Sequence, residues 1–459
     1  MLVMSPFRPL RQVLAPMLGA SLLLGGCAVP GPPRPPPDPV PTHWQAEPDS
    51  GPQADWALLA DAELAALLQR AEEVNRDLVQ AALRLQQAGT QAGLGELRLT
   101  PSASGSASLS RPLDPPGALP ARSSRSHGTS LGLGYEADLW GRLAALRTAD
   151  AAQLQAARAD LHAARLLLRQ RVAESYWQLA SARVQAELAG QQLALNRELL
   201  AATRLRVREG KLLPIEIDRA AATLQQAELR IADLQADMAQ QRLQLALLLD
   251  LPPPGPPLPQ ARLPGELPPR WRVGADPAAV LERRPDVQRA RAQVDAALAR
   301  AQATAAQRYP ALSFSASLGS GGETPADWLA NPVAALAGNL VVPLIDWRRL
   351  DLQRDAARSE LELAALALRD TLARALVEIE TALIEGQRLQ QQLDANATRL
   401  HEARAAERLA ALRLEVGAIA RADHLQAVNA RLEAEQGRLQ LQLRAWLNRG
   451  LLARALALG

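Results

Sequence analysis

The chain has 459 residues, more than one ordinary domain needs and enough for two units of roughly 200 residues each. Hydrophobic residues make up 48% of it and aromatic residues only 3%, so alanine and leucine carry the apolar share, as is typical of long helices packed through small side chains. The formal charge is +3 and the arginines are spread along the chain without forming a patch, which argues against a nucleic-acid-binding protein.

The N-terminus has the pattern of a secretory signal peptide, a basic stretch followed by an apolar run at 13–24. The run ends in Leu24-Gly25-Gly26-Cys27, which is similar to the cleavage box of bacterial lipoproteins. We therefore predict a lipoprotein signal peptide over 1–26 and a covalent lipid on Cys27, the only cysteine. A plain signal peptide with an incidental cysteine is the alternative. Ala28 stands where an aspartate would resemble an inner-membrane retention signal, so sorting to the outer membrane is expected.

An acylated N-terminus with a proline-rich tether is predicted for 27–42, because the sequence VPGPPRPPPDPVP at 29–41 is extended and cannot join a fold. Further along the chain no stretch of 18 residues is apolar throughout, so no transmembrane helix is predicted.

The remainder of the sequence is a duplication. The segment SGSASLS at 104–110 returns as SFSASLG at 313–319, an offset of 209 positions. Beyond the following loops the offset becomes 207 and places Gly210 on Gly417. The dividing segment is rich in proline and cannot continue a helix. We predict two structural repeats, 43–262 and 263–459.

Each repeat is predicted to contain a helix, two strands joined by a polar loop, a very long helix, a tight turn and a second long helix. The segment 143–208 has no proline, so a helix of roughly 100 Å is expected at 1.5 Å per residue. Apolar residues that step by seven predict coiled-coil pairing. They are Leu154, Leu161, Leu168, Leu224, Ile231, Met238, Leu245, Leu425, Leu432, Leu439 and Trp446.

Strands are predicted at 102–109, 129–135, 312–318 and 338–344, where polar and apolar residues alternate. Four strands cannot close a barrel with a lumen, and open strand edges are not tolerated in lipid, so a membrane location requires strands from several copies. Tyr135, Trp140 and Trp347 lie at the strand ends that face the long helices and suit a membrane interface. A small soluble sheet that caps a helical rod is the alternative.

Two motifs carry a resemblance to a known family. LERRPDV at 281–287 and YEADLWGR at 135–142 are similar to motifs of the TolC-like outer-membrane efflux ducts, within them the lipoprotein branch (OprM/NodT-like) that serves RND-type multidrug efflux. The resemblance extends over nearly the whole mature chain. The sequence departs from the family at Asp250, where glycine is usual, and at Arg291, where many members have glutamate.

The resemblance implies a mainly α fold with a small β part. Three copies would combine four strands each into a twelve-stranded barrel, and duplicated coiled-coil hairpins would form an α-helical barrel in the periplasm. The implied function is the outer-membrane exit duct of a tripartite pump, which conducts drugs or other small substrates passively. The implied partners are a periplasmic membrane-fusion adaptor, an inner-membrane RND-type transporter and outer-membrane lipid. No nucleic acid and no cofactor other than the lipid are expected.

The resemblance also places gate acids at Glu216 and Asp423, at equivalent points of the two hairpins. Rings of such carboxylates around a threefold axis would favour cations. The alternative for each is a solvated acid that suits the dipole in the first turn of its helix.

We further hypothesise that Arg208, Lys211 and Arg421 hold the gate acids in the closed state. An adaptor docking on the tips around Gly210 and Gly417 would break these contacts, because paired helices can tilt at their free ends and open like an iris.

No enzyme is predicted, and no catalytic or metal-binding residues are assigned. The five histidines are scattered without metal-ligand spacing and there is no glycine-rich phosphate loop. Two rival functions stay open. A duct for type I protein secretion would share this architecture, whereas a periplasmic coiled-coil adaptor or scaffold without a pore would need only one hairpin and no strand pairs. The cargo is not predicted.

Overall fold

The computed structural model describes residues 40–45, 56–110, 126–253, 276–322 and 332–458, with the single positions 33, 263 and 273. Within the chain there are two compact units. Unit 1 includes Leu85–Ala157 and Arg289–Leu368, and unit 2 includes Asp38–Arg84, Arg158–Gln288 and Arg369–Gly459. Each unit therefore draws on both predicted repeats. The predicted signal peptide, Cys27, nearly all of the predicted tether and most of the segment between the predicted repeats lie outside the described residues.

The helices and strands follow the predicted order twice, but a further helix that was not predicted from the sequence precedes each series. In chain order they are α1 (Ala62–Val74), α2 (Arg76–Leu97), β1 (Ser102–Ser110), β2 (Ser126–Ala137), α3 (Arg142–Arg208), α4 (Ile215–Leu248), α5 (Pro277–Arg283), α6 (Pro285–Ala306), β3 (Ala311–Gly322), β4 (Pro332–Val341), α7 (Trp347–Glu415) and α8 (Arg421–Ala455). The series α2-β1-β2-α3-α4 is repeated as α6-β3-β4-α7-α8, and the further helices are α1 and α5. The fold is mainly α with a small β part, as predicted. No helix among the described residues is both long and apolar enough to cross a membrane.

The four strands of unit 1 form one antiparallel sheet in the order β1-β2-β3-β4. The first and second repeats meet at β2 and β3, where Leu131 pairs with Leu318 and Tyr135 with Phe314. β1 and β4 lie at the two edges. Each edge has a row of backbone N–H and C=O groups that no other strand of this sheet pairs with, which is the usual condition of an edge strand.

The strands are longer than the sequence alternation predicts. β2 begins three residues before the predicted 129–135 segment, and β3 extends four residues past the predicted end at 318. The prediction for the last strand, 338–344, was wrong at both ends, because β4 runs from Pro332 to Val341. The predicted end was too late because Pro343 has no N–H to donate to a neighbouring strand. The predicted start was too late because Ala334, Ala335 and Ala337 do not alternate between polar and apolar residues.

The two tight turns lie in unit 2 and have the predicted geometry. Gly210 and Gly417 both have φ of +70°, the left-handed conformation that ends a helix at low cost only for glycine. At the first turn the N–H of Lys211 donates to the carbonyl of Arg206 at 2.8 Å, and at the second the N–H of Ala418 donates to Arg413 at 2.8 Å. These bonds are those of a Schellman motif.

Unit 2 has a core built around two indoles. Trp177 of α3 is fully buried, and its ring centroid lies 5.4 Å from that of Trp446 of α8. Gly450 allows this packing, because a Cβ there would lie 3.0 Å from the Trp177 ring. Tyr176 is also buried and donates a 2.9 Å hydrogen bond to Asp61, whose other carboxylate oxygen caps α1. The N-terminal helix α1 is thereby fixed to the long helix α3.

The long helices of unit 2 pair in antiparallel fashion. On α3, Leu195 packs with Leu425 and Leu432 of α8. Further ion pairs connect α3 with α4 and α7 with α8, the latter through Arg404 and Glu435 at 3.0 Å. The predicted heptad stripe of α8 is buried from Leu425 to Trp446, whereas Leu224, Ile231 and Met238 of α4 are only half-buried in the single chain.

Candidate channel surfaces

The sheet of unit 1 has two chemically different faces. Residues paired across strands point to the same face, and the register places one set of large apolar side chains together. They are Leu109, Leu131, Leu133, Tyr135, Leu312, Phe314, Leu318, Leu336 and Leu340. All but Leu312 are exposed in the single chain, and Leu336 is 84% exposed. An exposed apolar surface of this size marks contact with lipid or protein.

The opposite face is polar and built from small residues over β1 to β3, whereas β4 contributes mainly alanine and valine to it. β1 contributes a serine at every position on this face, from Ser102 to Ser110, and β2 and β3 contribute mainly serine and glycine. Serines on β1 face glycines on β2, as at Gly132, where a Cβ would lie 3.0 Å from the Ser104 hydroxyl. The Ser106 and Ser130 hydroxyls are hydrogen-bonded at 2.9 Å. This face can therefore border water while the apolar face borders lipid.

A rigid junction connects the end of β2 to the start of α3, within the YEADLWGR motif. Asp138 caps α3 by accepting hydrogen bonds from the N–H groups of Leu143 and Ala144 at 3.0 and 2.8 Å. The indole of Trp140 donates to the carbonyl of Pro310 at 2.8 Å and stacks on Tyr309 at 4.8 Å. The motif thus fixes the angle at which the chain leaves the sheet.

The equivalent junction of the second repeat is more exposed. Trp347 begins α7 and is 44% exposed, with the guanidinium of Arg308 5.4 Å from its ring centroid. Tyr135 lies on the apolar face of the sheet. The three aromatic residues predicted at a membrane interface therefore have three different environments. Of the three residues, Trp140 is held in place by hydrogen bonding and stacking.

The LERRPDV motif forms a buried ion network in unit 2. Arg284 is 6% exposed and donates to Asp286 at 2.8 and 3.1 Å, to Glu378 at 2.7 Å and to the carbonyl of Ala455 at 2.8 Å. Arg454 donates to the second oxygen of Glu378. Burial disfavours the charged form of Asp286, but the hydrogen bond and charge of Arg284 outweigh it and lower the pKa of that carboxyl. The motif is structural, because it joins α6, α7 and the end of α8.

The predicted gate acids both lie in the first turn of a helix. The Glu216 carboxylate is half-buried at the start of α4 and pairs with Arg219 at 2.8 Å. Asp423 is exposed near the start of α8 and accepts a 3.1 Å hydrogen bond from the backbone N–H of Ala420. In the single chain both acids therefore stabilise the beginning of their helices.

Two of the three cations predicted to hold these acids pair with other residues. Lys211 pairs with Glu209 at 2.8 Å, and Arg421 pairs with Glu198 of α3 at 2.9 Å. Arg208 is exposed at the end of α3. Among the described residues no ion pair joins Glu216 or Asp423 to any of these cations. Contacts between the predicted acids and cations would therefore have to form between copies in an assembly.

Sequence reasoning missed the residues that these ions do contact. The hydrogen bond from Lys211 and its positive charge lower the pKa of Glu209, with only a small opposing effect of burial. Arg219 is three residues from Glu216 on α4, so helix spacing could have revealed that pair. Glu209 and Lys211 lie on either side of the turn glycine, where helix spacing does not apply. Glu198 is 223 residues from Arg421, and no local signal could have found it.

No group of histidine, cysteine or acidic side chains in the part of the chain that the structure describes could hold a metal ion. Gly210 and Gly417 are exposed, and a Cβ added to either would meet open space. The tips are therefore accessible in the single chain.

Comparisons with known proteins point to one family. The model of the family described as outer membrane efflux protein matches residues 67–250 and 277–457. The pyoverdine export outer membrane protein OpmQ of Pseudomonas putida is 29% identical over 446 residues, which is 93% of each chain. The open-state crystal structure of the MtrE outer membrane channel of Neisseria gonorrhoeae has a TM-score of 0.82 at 25% identity, covering 94% of this chain and 98% of that one. The outer-membrane channel OprN has the same fold, with a TM-score of 0.82 at 22% identity over 94% and 99% of the two chains.

A sheet with an apolar exposed face, connected to duplicated long helical hairpins, defines the class of outer-membrane channels. The chain belongs to the outer membrane efflux protein family. It is an outer-membrane exit duct, as the resemblance implied, and its relatives are channels and export proteins of the outer membrane.

Proposed function

We propose that three copies of this chain form the exit duct of a tripartite efflux pump, with a periplasmic membrane-fusion adaptor and an inner-membrane RND-type transporter as partners. The two-faced sheet with open edges carries the proposal. Its apolar face suits lipid, its serine and glycine face suits water, and β1 and β4 each have an edge free to pair with another copy. Three copies would supply twelve strands, and their helical hairpins would enclose the periplasmic part of the duct.

Membership of the outer membrane efflux protein family also supports this assembly, in which the duct conducts its substrates passively and carries out no catalysis. Heat-stable trimers of the purified mature chain in detergent are expected. A monomer that never enters liposomes would contradict the proposal, and a stable trimer without conductance would restrict it to the assembly alone.

The gate is proposed at the helix turns of unit 2. Glu216 and Asp423 are equivalent acids beside the turn glycines, so three copies would bring six carboxylates together if the turns converge around the threefold axis. Such rings favour cations. Arg208, Lys211 and Arg421 would then contact the acids of a neighbouring copy in the closed state, and an adaptor docking on the tips around Gly210 and Gly417 would release them.

Single-channel recording in planar bilayers tests the gate. Asp423→Asn removes the charge but keeps a side-chain oxygen that can cap α8, so a change in conductance and a loss of cation selectivity are expected without loss of the trimer. Asp218→Asn is the matched control, because Asp218 is an exposed acid in the first turn of α4 whose equivalent position in the second repeat is Leu425. Unchanged conductance and selectivity in Asp423→Asn would remove Asp423 from the gate.

A lipid on Cys27 is proposed as a further anchor, on the strength of the sequence before it. Labelled palmitate should be incorporated into the wild-type chain and not into Cys27→Ser. Incorporation into both, or into neither, would contradict acylation at this residue.

The cargo is not assigned to this chain. The names of three relatives refer to pyoverdine, fusaric acid and cations, although each of these relatives is similar to this chain over more than two thirds of its own length. We therefore assign the choice of cargo to the partner transporter. One relative, the toxin and drug export protein A of Aggregatibacter actinomycetemcomitans, is 25% identical over 71% of this chain, and its name favours type I secretion as the second candidate. Export of a secreted protein that depends on this chain would support that candidate.

A further inference from the structure

The polar face of the sheet carries one carboxylate. Among the described residues of the four strands, Glu136 is the only aspartate, glutamate, lysine or arginine, and His127 of β2 lies on the opposite, apolar face. It lies on the serine and glycine face, in the row that it shares with Ser313 and Asn339. Every other row of this face is formed by neutral residues.

This single charge is compensated inside the chain. Nη2 of Arg142, the first residue of α3, donates to both carboxylate oxygens of Glu136 at 2.6 and 2.9 Å. The Glu136 and Arg142 side chains are 35% and 29% exposed, so water and ions can reach them. Hydrogen bonds to an ionised partner are the stronger kind.

The junction positions Arg142 independently of this ion pair. Asp138 caps the helix that Arg142 begins, and Trp140 is held by the Pro310 carbonyl and by stacking on Tyr309. A rigid setting lowers the entropy that an exposed pair usually loses when it forms. Removing either partner should therefore leave the other charge at nearly the same place.

We propose that the Glu136–Arg142 pair determines ion selectivity at the helix end of the channel's polar face, by keeping this row of the lumen neutral. The inference rests on the proposed function, in which the serine and glycine face lines the lumen of a trimer. Three uncompensated charges around the lumen would attract ions of the opposite sign, and salt would screen them over a distance of about 10 Å at 0.1 M.

Reversal potentials of the full-length channel in planar bilayers, under a dilute KCl gradient, test this inference. Glu136→Gln should raise the chloride-to-potassium permeability ratio and Arg142→Gln should lower it, each by about twofold relative to wild type. Both shifts should disappear in concentrated KCl, where the Debye length falls to about 3 Å. The double variant, which has neither charge, should return to the wild-type ratio.

The controls separate charge compensation from a purely structural role. Arg142→Lys keeps the charge and should keep the wild-type ratio. Arg147 and Glu96 form an exposed pair at 3.3 Å between α3 and α2 in the same unit, so Arg147→Gln and Glu96→Gln should leave the ratio unchanged. Shifts in the same direction for both single variants, or no shift in a conducting channel, would overturn the inference. A wild-type protein that conducts nothing would instead contradict the proposed function.

Discussion

At the scale of single residues, the two motifs that identify the family have mainly structural roles. Arg284 of LERRPDV is buried and makes hydrogen bonds to α6, α7 and the end of α8. An ion pair with a buried member is a weak source of net stability, but loss of the buried arginine takes a charged partner from Asp286 and Glu378, which are themselves partly exposed. The stability of the fold should therefore depend on Arg284, although this residue lies away from the channel surfaces.

Arg284→Ala should destabilise the protein by about 2–3 kcal/mol, because the partly exposed Glu378 would lose one of its two arginine partners and the Ala455 carbonyl would lose a donor. Loss of the helical circular-dichroism signal on heating in detergent is the measurement. Arg283→Ala is the matched control, since Arg283 is exposed and adjacent in sequence, and its effect should stay within about 0.5 kcal/mol. Equal effects of the two variants would show that the network is dispensable.

Asp286 should contribute a pH-dependent part of stability. Its pKa is lowered in the folded protein, so its contribution is fully present above the unfolded value of about 4 and is lost as the pH falls through the lower folded value. Asp286→Asn should be less stable than wild type at neutral pH, and the difference should narrow below about pH 4. Guanidinium unfolding midpoints across this pH range measure it. Asp233→Asn, a change at an exposed carboxyl of α4, should show no such narrowing.

What the sequence could and could not predict at this scale depends on distance along the chain. The caps and the turn glycines follow from neighbours a few residues away. Glu378, by contrast, is 94 residues from Arg284, and a lone glutamate on the surface pattern of a long helix gives no sign of a buried partner. The compensation of Glu136 by Arg142 spans six residues across a strand-to-helix junction, where neither strand nor helix spacing applies.

At the scale of helices and strands, the duplication extends to the way the helices end. Besides Gly210 and Gly417, two non-glycine residues in the described part of the chain have a positive φ, Asp250 at +52° and Ala457 at +53°. They are again 207 residues apart, and each follows the last long helix of its repeat. The next N–H in each case donates to a carbonyl five residues back, Leu251 to Ala246 and Leu458 to Ala453. The family's usual glycine at position 250 is explained by this conformation.

Ala457→Gly should stabilise the protein by up to about 1 kcal/mol. A left-handed conformation costs a residue with a Cβ about 1–2 kcal/mol. Glycine avoids this cost, but it loses more conformational entropy on folding, which offsets part of the gain. Asp250→Gly should gain less, since Asp250 also pairs with Arg76 at 2.6 Å and aspartate tolerates this conformation better than alanine. Thermal unfolding in detergent compares the two. A loss of stability in Ala457→Gly would mean that the backbone at this end relaxes in solution.

Strand limits were the least predictable feature of the elements. The alternation of polar and apolar residues located β1, β2 and β3, because each has mainly serine or glycine on one face and mainly leucine, alanine or an aromatic residue on the other. β4 was misplaced because Val333, Ala335 and Ala337 make its polar-side positions apolar as well, which removes the period of two. The pairing of β4 with β3, and not its own pattern, determines where it starts.

At the scale of the whole molecule, the sequence predicted the repeated order of helices and strands and the need for partner strands. It could not predict how many copies combine, because the strand argument requires only that the edges be paired. The resemblance to known ducts implied the number three. It also could not predict that each compact unit would contain residues of both repeats, since periodicity reports on local structure and not on which distant segments pack together.

The two edges of the sheet allow a direct test of pairing between copies. If copies pair edge to edge, β1 of one copy lies about 4.8 Å from β4 of the next. Cysteines on the same face of these two strands can then be joined by a cross-linker that spans about 10 Å. Such a cross-linker tolerates a shift in strand register of about three residues, at about 3.4 Å per residue. Ser106→Cys with Ala335→Cys places both thiols on the polar face. The variant reconstituted in liposomes should give covalent dimers and trimers on a denaturing gel.

The matched control for this prediction uses the inner strands. Ser130→Cys with Ser317→Cys places two thiols on the polar faces of β2 and β3, which are paired within one chain, so its product should stay monomeric in mass. The wild-type chain, run in parallel, accounts for any reaction of Cys27. If the edge variant also gave only monomers, the strands of neighbouring copies would not be paired, and an open four-stranded sheet could not remain in lipid, because each unpaired backbone group there costs several kcal/mol.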